Sequence, residues 1–525
     1  MNILMKKIKH IQTYHALKQV TIFAAMVIIL SGCELGPNFS TPHTKTIKTF
    51  EIPRINTKMK SKLVPYPIDV TWWANFHDAT LTQLERQAAT QNLDIKIATE
   101  RLAEARSQAE IDGAALYPSL DFAGSYTREK PSRKGVFNAL GGGATGNANN
   151  ASAIANGGSG SSGGGGISNT EIQPFNLFQY GFSSVFDFDL WGKNRRIEEA
   201  ALAAVAASDD ARRAVLLNIE AEIANDYISL RSDQKLLAIT ESSLQTAHQI
   251  TLITKNREDA GVSTALDVED SRAQAASIAA QIPTLRVAIE DQISQIGLLL
   301  GQEPGALEIN LAKPSSIPSV PPVVPIGMPS ELLKRRPDIR QASATLHEAT
   351  AEIGAAKASF FPDLTLSGSV SLQALQMSNL NQLAAITYAV GPELSLPIFS
   401  GGKLEGTLHL RNAEQREAAI SFAKTVLTAF HQVDDDLSTY DGEQHRLNAL
   451  TLDVTASKKA LHLAQQSYRE GVATYLQVLT AQQALLAAEQ SQAQSLTTIA
   501  NDLVGLYQAL GGGWEVYYPL RKQAP

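Results

Sequence analysis

Two hydrophobic periods take turns along this chain. Phe178, Tyr180, Phe182, Ser184, Phe186, Phe188 and Leu190 alternate with Gln179, Gly181, Ser183, Val185, Asp187 and Asp189, and that period of two predicts a strand with one apolar and one polar face. The same alternation runs through Leu364, Leu366, Gly368, Val370 and Leu372, more briefly through Leu120, Phe122, Gly124 and Tyr126, and again through Ile386, Tyr388, Val390, Leu394, Leu396 and Ile398. Elsewhere the period lengthens to seven. Leu216, Ile223, Leu230, Leu237 and Leu244 form one series, and Val426, Val433, Tyr440, Leu447, Val454, Leu461 and Tyr468 form another. Sustained heptads predict coiled-coil packing. No strong breaker interrupts the chain from about Asn194 to Lys255, enough for a rod on the order of 90 Å. The helices that follow carry Val268, Ile282, Ile289 and Ile296 in one case and Val478, Leu485, Ile499 and Leu506 in the other, with Ala275 and Gln492 as weaker members; Pro283 predicts a local kink.

The two sets of elements are copies of one unit. Ala260-Gly261-Val262-Ser263-Thr264-Ala265-Leu266-Asp267-Val268 aligns without a gap on Glu470-Gly471-Val472-Ala473-Thr474-Tyr475-Leu476-Gln477-Val478, and the spacing still holds at Gly301 and Gly511. Upstream, Tyr117-Pro118-Ser119-Leu120 matches Phe361-Pro362-Asp363-Leu364 at a wider spacing, so the first copy carries extra residues between its strands. That extra material is the stretch from Gly141 to Gly166, mostly Gly, Ala, Asn and Ser, with the composition of a flexible loop. Within each copy, two long helices reverse at Gly261 or Gly471, where glycine tolerates positive φ. A duplicated unit with elements this long points to an extended architecture rather than a catalytic globule. The Pro-rich stretch Pro314 to Pro329 joins the copies and is expected to be extended.

Composition narrows the class further. A chain of 525 residues with 44% hydrophobic and 18% charged content has ample core material, and its net charge of −7 leaves no basic face for nucleic acid. Lys6, Lys7, Lys9 and Lys18 precede an apolar run from Val20 to Leu30 and then Leu30-Ser31-Gly32-Cys33. The run is about a dozen residues, against the roughly 20 a spanning helix needs, so it reads as a secretory signal that is removed. The sequence before Cys33 resembles a bacterial lipobox, which makes the lone cysteine the lipidated first residue of the mature chain and rules out an intrachain disulfide. For an exported protein, two-faced strands of about ten residues fit a transmembrane β-barrel, although a half-buried soluble sheet shows the same alternation. Closure takes about eight strands or more, so four strands from one chain require identical copies to pool theirs.

Further marks carry a family resemblance: Trp72-Trp73 followed by Phe76 and Leu81, Arg335-Arg336-Pro337-Asp338-Ile339, Phe360-Phe361-Pro362-Asp363-Leu364, Phe399-Ser400-Gly401-Gly402 and Leu510-Gly511-Gly512-Gly513-Trp514. In that order along a duplicated chain, they make it similar to a TolC-type outer-membrane factor of the lipidated efflux branch. The resemblance implies a mixed α and transmembrane β fold, internally duplicated, with four barrel strands plus long coiled-coil helices per chain. It also implies a homotrimer whose twelve-stranded β-barrel is continued by a periplasmic α-barrel. The implied division is a signal peptide over 1–32, a lipidated N-terminal segment over 33–80 and a first efflux repeat over 81–302. That repeat would have strands near 118–128 and 176–190, a Gly-rich loop at 135–170 and a tip near 257–266. A linker over 303–329 leads to a second repeat over 330–511, with strands near 362–373 and 386–399 and a tip near 468–477, and then a C-terminal equatorial tail over 512–525.

By the same resemblance, the protein is the exit duct of a tripartite pump in the outer membrane. It would be lipid-anchored there, reach into the periplasm, and work with a periplasmic adaptor and an inner-membrane transporter of the resistance-nodulation-division class. The family's adaptor-contacting tips fall on Gly261, Val262, Ser263 and Thr264 and on Gly471, Val472, Ala473, Thr474 and Tyr475. Family members often line the closing aperture with aspartates shortly after the second tip glycine; here Gln477 and Thr480 hold those places, while Asp267 and Asp270 hold the equivalent ones in the first copy. A negative aperture favours cations or helps set a closed state, whereas solvated carboxylates around a turn look the same in sequence.

No cofactor, metal site or catalytic constellation is expected. Gly160-Ser161-Ser162-Gly163-Gly164 matches the nucleophile-elbow pattern by chance in low complexity, His347-Glu348 lacks the second histidine of a zinc helix, and Asp434-Asp435-Asp436 near His431 reads as a solvated helix face. The rival functions are a type I secretion channel for polypeptides, which shares the fold, and a non-conducting envelope lipoprotein with coiled-coil arms.

Overall fold

The chain's alternating and heptad segments sort into two compact units in the computed structural model, which describes residues 34–42, 50, 61–130 and 174–519. The signal segment, Cys33, the Gly-rich 135–170 stretch with its Gly160–Gly164 match, and the last residues of the C-terminal tail lie outside the described residues. One unit comprises residues 1–36, 111–197 and 354–407; the other comprises 37–110, 198–353 and 408–525.

The first unit is a four-stranded antiparallel sheet. Strands β2 (Ser119–Glu129), β3 (Phe175–Asp187), β5 (Asp363–Ala374) and β6 (Ile386–Ser395) follow one another in the order β2-β3-β5-β6. Register places Phe122 opposite Phe182, Phe182 opposite Val370 and Val370 opposite Tyr388, so the apolar set of every strand falls on one face, and all four side chains are more than half exposed. Aromatic neighbours consolidate that face, with ring centroids 5.2 Å apart for Phe122 and Phe182 and 4.8 Å for Tyr126 and Phe178. The other face carries Ala123, Gly181, Ser371 and Thr387 in one row. Among the described residues β2 and β6 each pair along one side only, which leaves two open edges.

Two strand ends differ from expectation. The alternation through Leu396 and Ile398 predicts a strand to 399, yet β6 stops at Ser395, which faces Asp363, the first residue of β5; beyond it Pro397 has no N–H to donate. Strand β3 stops at Asp187 rather than 190, because Asp189 takes a positive φ of 42° and turns its carboxylate to the next helix, accepting from the N–H groups of Asn194 and Arg195 at 3.0 Å each.

The second unit is helical. Helices α1 (Ala79–Gln91) and α2 (Leu93–Gly113) lead to α3 (Lys193–Asp259), which is followed by α4 (Ala265–Ala279) and α5 (Gln281–Leu299). After the linker come α7 (Pro329–Arg335), α8 (Pro337–Ala358), α9 (Lys403–Arg469) and α10 (Tyr475–Ala509). Several of these cross the unit boundary, and α3 and α9 are each 67 residues long, on the order of 100 Å. The heptad positions of α9 are buried or half-buried from Val426 to Tyr468. In α3 the buried face changes side: Leu216, Ile223 and Leu230 are fully buried, but Leu237 and Leu244 are only half-buried, and Ile239, Ala247 and Ile250 take over. At roughly 100° per residue Ile239 lies about 180° round the helix from Leu230, and Ile239 and Ala247 pack with Ala275 and Ile278 of α4 and Leu486 and Ala493 of α10 instead of the main core. Pro283 interrupts its helix locally: α4 ends at Ala279 and α5 begins at Gln281, with Ala280 between them still helical at φ −64° and ψ −19°, because Pro283 has no N–H for the Ala279 carbonyl.

From Pro314 to Met328 the linker carries no helix and includes β4 (Val323–Pro325), which pairs in parallel with β1 (Lys62–Val64); a single helical turn, α6 (Glu308–Leu311), precedes that stretch. The core lies where the sequence motifs meet. Trp72 stacks on Tyr507 at 5.5 Å, and Trp514 donates its indole N–H to the carbonyls of Arg335 and Gly511 at 3.1 Å. Buried Arg336 donates to the Ala509 carbonyl at 2.8 Å and to the carboxylate of Asp338, while Arg335 pairs with Glu515 at 2.9 Å. The Arg-Arg-Pro-Asp and Gly-Gly-Gly-Trp segments are therefore one interlocked structure.

Candidate functional site

Each helical hairpin reverses over a few residues, and the two reversals lie side by side in the helical unit. Gly261 and Gly471 take positive φ of 73° and 81°, and a Cβ on either would meet nothing within 4 Å, so glycine is needed here for conformation rather than for space. Thr264 and Thr474 then start α4 and α10 with matching capping boxes. Asp267 N–H bonds to the Thr264 hydroxyl at 3.2 Å, and Thr264 N–H bonds back to the Asp267 carboxylate at 3.1 Å. Gln477 does the same work in the second copy, accepting from Thr474 N–H at 3.3 Å.

That geometry gives the aperture candidates different places. Asp267 also accepts from the Ser263 hydroxyl at 2.8 Å. Partial burial raises its pKa, but the bonds from Thr264 and Ser263 outweigh that, and the net effect sets it below the ordinary carboxylate value. Asp267 and Gln477 are thus engaged in starting helices. Thr480 is exposed and returns its hydroxyl to its own helix, at 3.0 Å from the Leu476 carbonyl. Asp270 is exposed, and its charge reaches Tyr475.

The two reversals are joined through Arg257, which the sequence did not single out, and Tyr468, which it offered only as a heptad position. Arg257 donates to the Tyr468 carbonyl at 2.8 Å and lies over the Tyr468 ring at 4.6 Å. The Tyr468 hydroxyl reaches Thr254 at 3.3 Å and Ser263 at 3.4 Å, and its ring meets Tyr475 edge-on at 6.3 Å. Tyr475 is buried; burial, then the nearby Asp270, Tyr468 and Asp267, push its phenol up to about 12. Around this joint the tips expose apolar side chains in matching pairs: Val262 with Val472, and Leu266 with Leu476. Ser263 and Ala473 are half-buried beneath them.

Among the described residues no group of three or more His, Cys, Asp or Glu is placed to hold a metal, and no helix is long and apolar enough to cross a membrane. His347 stacks on Phe39 at 4.4 Å and bonds to Glu199 at 2.7 Å.

Residues 84–302 and 328–512 match the outer membrane efflux protein family. The chain belongs to that family. It is similar to the probable efflux pump outer membrane protein TtgC of Pseudomonas putida, 28% identical over 510 residues covering 95% of this chain and 96% of that one. It is also similar to the toluene efflux pump outer membrane protein TtgI of Pseudomonas putida, 30% identical over 504 residues covering 95% and 99%. Among solved structures, the outer-membrane channel OprN superposes with a TM-score of 0.80 at 31% identity, over 92% of this chain and 100% of that one. The fold is that of the outer-membrane efflux channels, mixed α and β, and the function is that of an outer-membrane efflux component. The family is one of ducts and not of enzymes.

Proposed function

We propose that three copies of this chain form the exit duct of a tripartite efflux pump, passing small molecules outward without catalysis of its own. One observation carries the reading: a four-stranded sheet with an exposed apolar face and two open edges. Open edges are not tolerated in hydrocarbon, and closure needs about eight strands or more, which three copies meet with twelve. The sheet belongs in the outer membrane, with Cys33 as the lipid attachment point. The apolar tip pairs Val262 with Val472 and Leu266 with Leu476 are the surface for a periplasmic adaptor, and the driving energy comes from an inner-membrane transporter of the resistance-nodulation-division class. The name of the toluene pump component TtgI supports small organic cargo. The division into two efflux repeats joined by the 303–329 linker follows the same reading.

The test is the mass of the detergent-purified protein together with its conductance in a planar bilayer. Three chains per particle and discrete channel events are expected. A monomer that conducts nothing would defeat the proposal.

A further inference from the structure

Glu85 on α1 and Glu220 on α3 are both fully buried, and among the described residues none of their four carboxyl oxygens has a hydrogen-bond partner. The indole N–H of Trp72, itself buried, is also unpartnered. It lies with the Glu220 carboxyl against Gly513, where a Cβ would overlap Glu220 and come 3.1 Å from Trp72 Nε1. The pocket is thus closed by the glycine that begins the C-terminal turn.

The charges facing it are mostly of one sign. Glu85 feels Glu220, Glu220 feels Glu515 of the C-terminal turn, and Tyr517 of that turn feels both buried carboxyls, with Arg86 on α1 acting in the opposite sense. The other cations nearby are engaged: Arg335 pairs with Glu515, and Arg213 and Arg340, which flank Trp514, pair with Asp210. Two ionised carboxylates here would face each other's charge with no donor bonded to either among the described residues. Protonation removes both charges and adds two O–H donors. An ionisable group buried without a partner takes up a proton rather than carry its charge.

We propose that Glu85 and Glu220 form a buried proton-binding pair, neutral at neutral pH, whose deprotonation releases the C-terminal turn from Trp514 to Tyr518. Burial first, and then each neighbouring carboxyl, raises both groups well above the ordinary glutamate range. A raised folded-state pKa means that the stabilisation is complete below the unfolded value and is lost as pH climbs through the folded one. The turn is therefore held in acid and freed in alkali.

The test uses the full chain in detergent. Infrared spectra at neutral pH should show a protonated-carboxyl C=O band that Glu85→Gln and Glu220→Gln each diminish and the double variant removes. Amide exchange over residues 513–518, corrected for the intrinsic effect of pH, should rise as the wild-type band disappears, rise less in each single variant and stay flat in the double one. Either of two results overturns the proposal: no such band assignable to these residues, as when waters or a cation keep them ionised, or the same alkaline rise in exchange in the variants.

Discussion

Arg257 of the first hairpin and Tyr468 of the second are joined twice, by a 2.8 Å hydrogen bond to the Tyr468 carbonyl and by the guanidinium resting 4.6 Å over its ring. No symmetry of the duplication produces this contact. The repeat alignment sets Arg257 against Ser467 and Tyr468 against Glu258, so the bond ties unlike positions of the two copies. A charge-assisted hydrogen bond with a cation–π contact is worth about 2 kcal/mol when partly shielded. Arg257→Ala should loosen the paired tips and raise channel open probability by about tenfold. Single-channel recordings decide it, and an unchanged open probability would remove Arg257 from gating.

Asp267 behaves as a helix-starting residue, and its replacement should show that. Asp267→Ala removes one arm of a capping box, at a cost of about 1 kcal/mol to the first turn of α4. Faster amide exchange over residues 264–268 is expected with little change in conductance. A large rise in conductance without local loosening would return Asp267 to the aperture.

Much of this was legible in the sequence, and the misreadings have physical causes. Strands were readable because an apolar and a polar face impose strict alternation; β6 was overextended because Leu396 and Ile398 keep the alternation going past the point where its partner β5 begins. The heptads of α9 persisted, whereas the buried face of α3 changes side where it leaves the main core to pack on α4 and α10. The capping roles of Asp267 and Gln477 were present as Thr-x-x-Asp and Thr-x-x-Gln, a signal that the search for an aperture passed over. The Arg257–Tyr468 joint had no such signal, since it depends on the distance between two turns far apart in sequence. The buried Glu85 and Glu220 were equally hidden, because nothing local distinguishes them from exposed glutamates.

The tip valines should matter for function and not for folding. Val262 and Val472 are mostly exposed, and surface changes of this kind usually alter stability by about 0.5 kcal/mol or less. The double variant Val262→Asp, Val472→Asp should reach the outer membrane in normal amounts and fail to restore drug resistance in a deletion strain. Full restoration would show that the partner docks elsewhere.

Gly181 tests the sheet. A Cβ there would overlap the backbone of Val370 and Ser371 on β5, while one on Gly391 in β6 would meet nothing within 4 Å. Gly181→Ala must therefore spread β3 from β5, whereas Gly391→Ala has room. Loss of the heat-resistant oligomer on gels is expected for the first and not for the second. Equal tolerance of both would mean that the β3–β5 approach relaxes readily.

The facing acids of α9 and α10 should give the helical unit a mild dependence on pH. Burial and then Asp435 push Asp436 up to about 6, with Arg336 drawing it back, and burial followed by Glu443 and Asp436 does the same to Asp502. Each is thus raised above its unfolded value of 3.8. Their contribution is complete below that value and disappears as pH rises through about 6. Both groups are only about half buried, so solvent screening keeps the effect small. The full-length protein should melt at a lower temperature at pH 7 than at pH 5, and Asp502→Asn should narrow that gap by removing one titrating group and relieving the other. Glu85 and Glu220, protonated in the folded chain on the reading above but ionised in the unfolded one, lower stability over the same interval, so their Gln variants should narrow the gap as well. A gap that Asp502→Asn does not change would show that α9 and α10 meet without electrostatic strain.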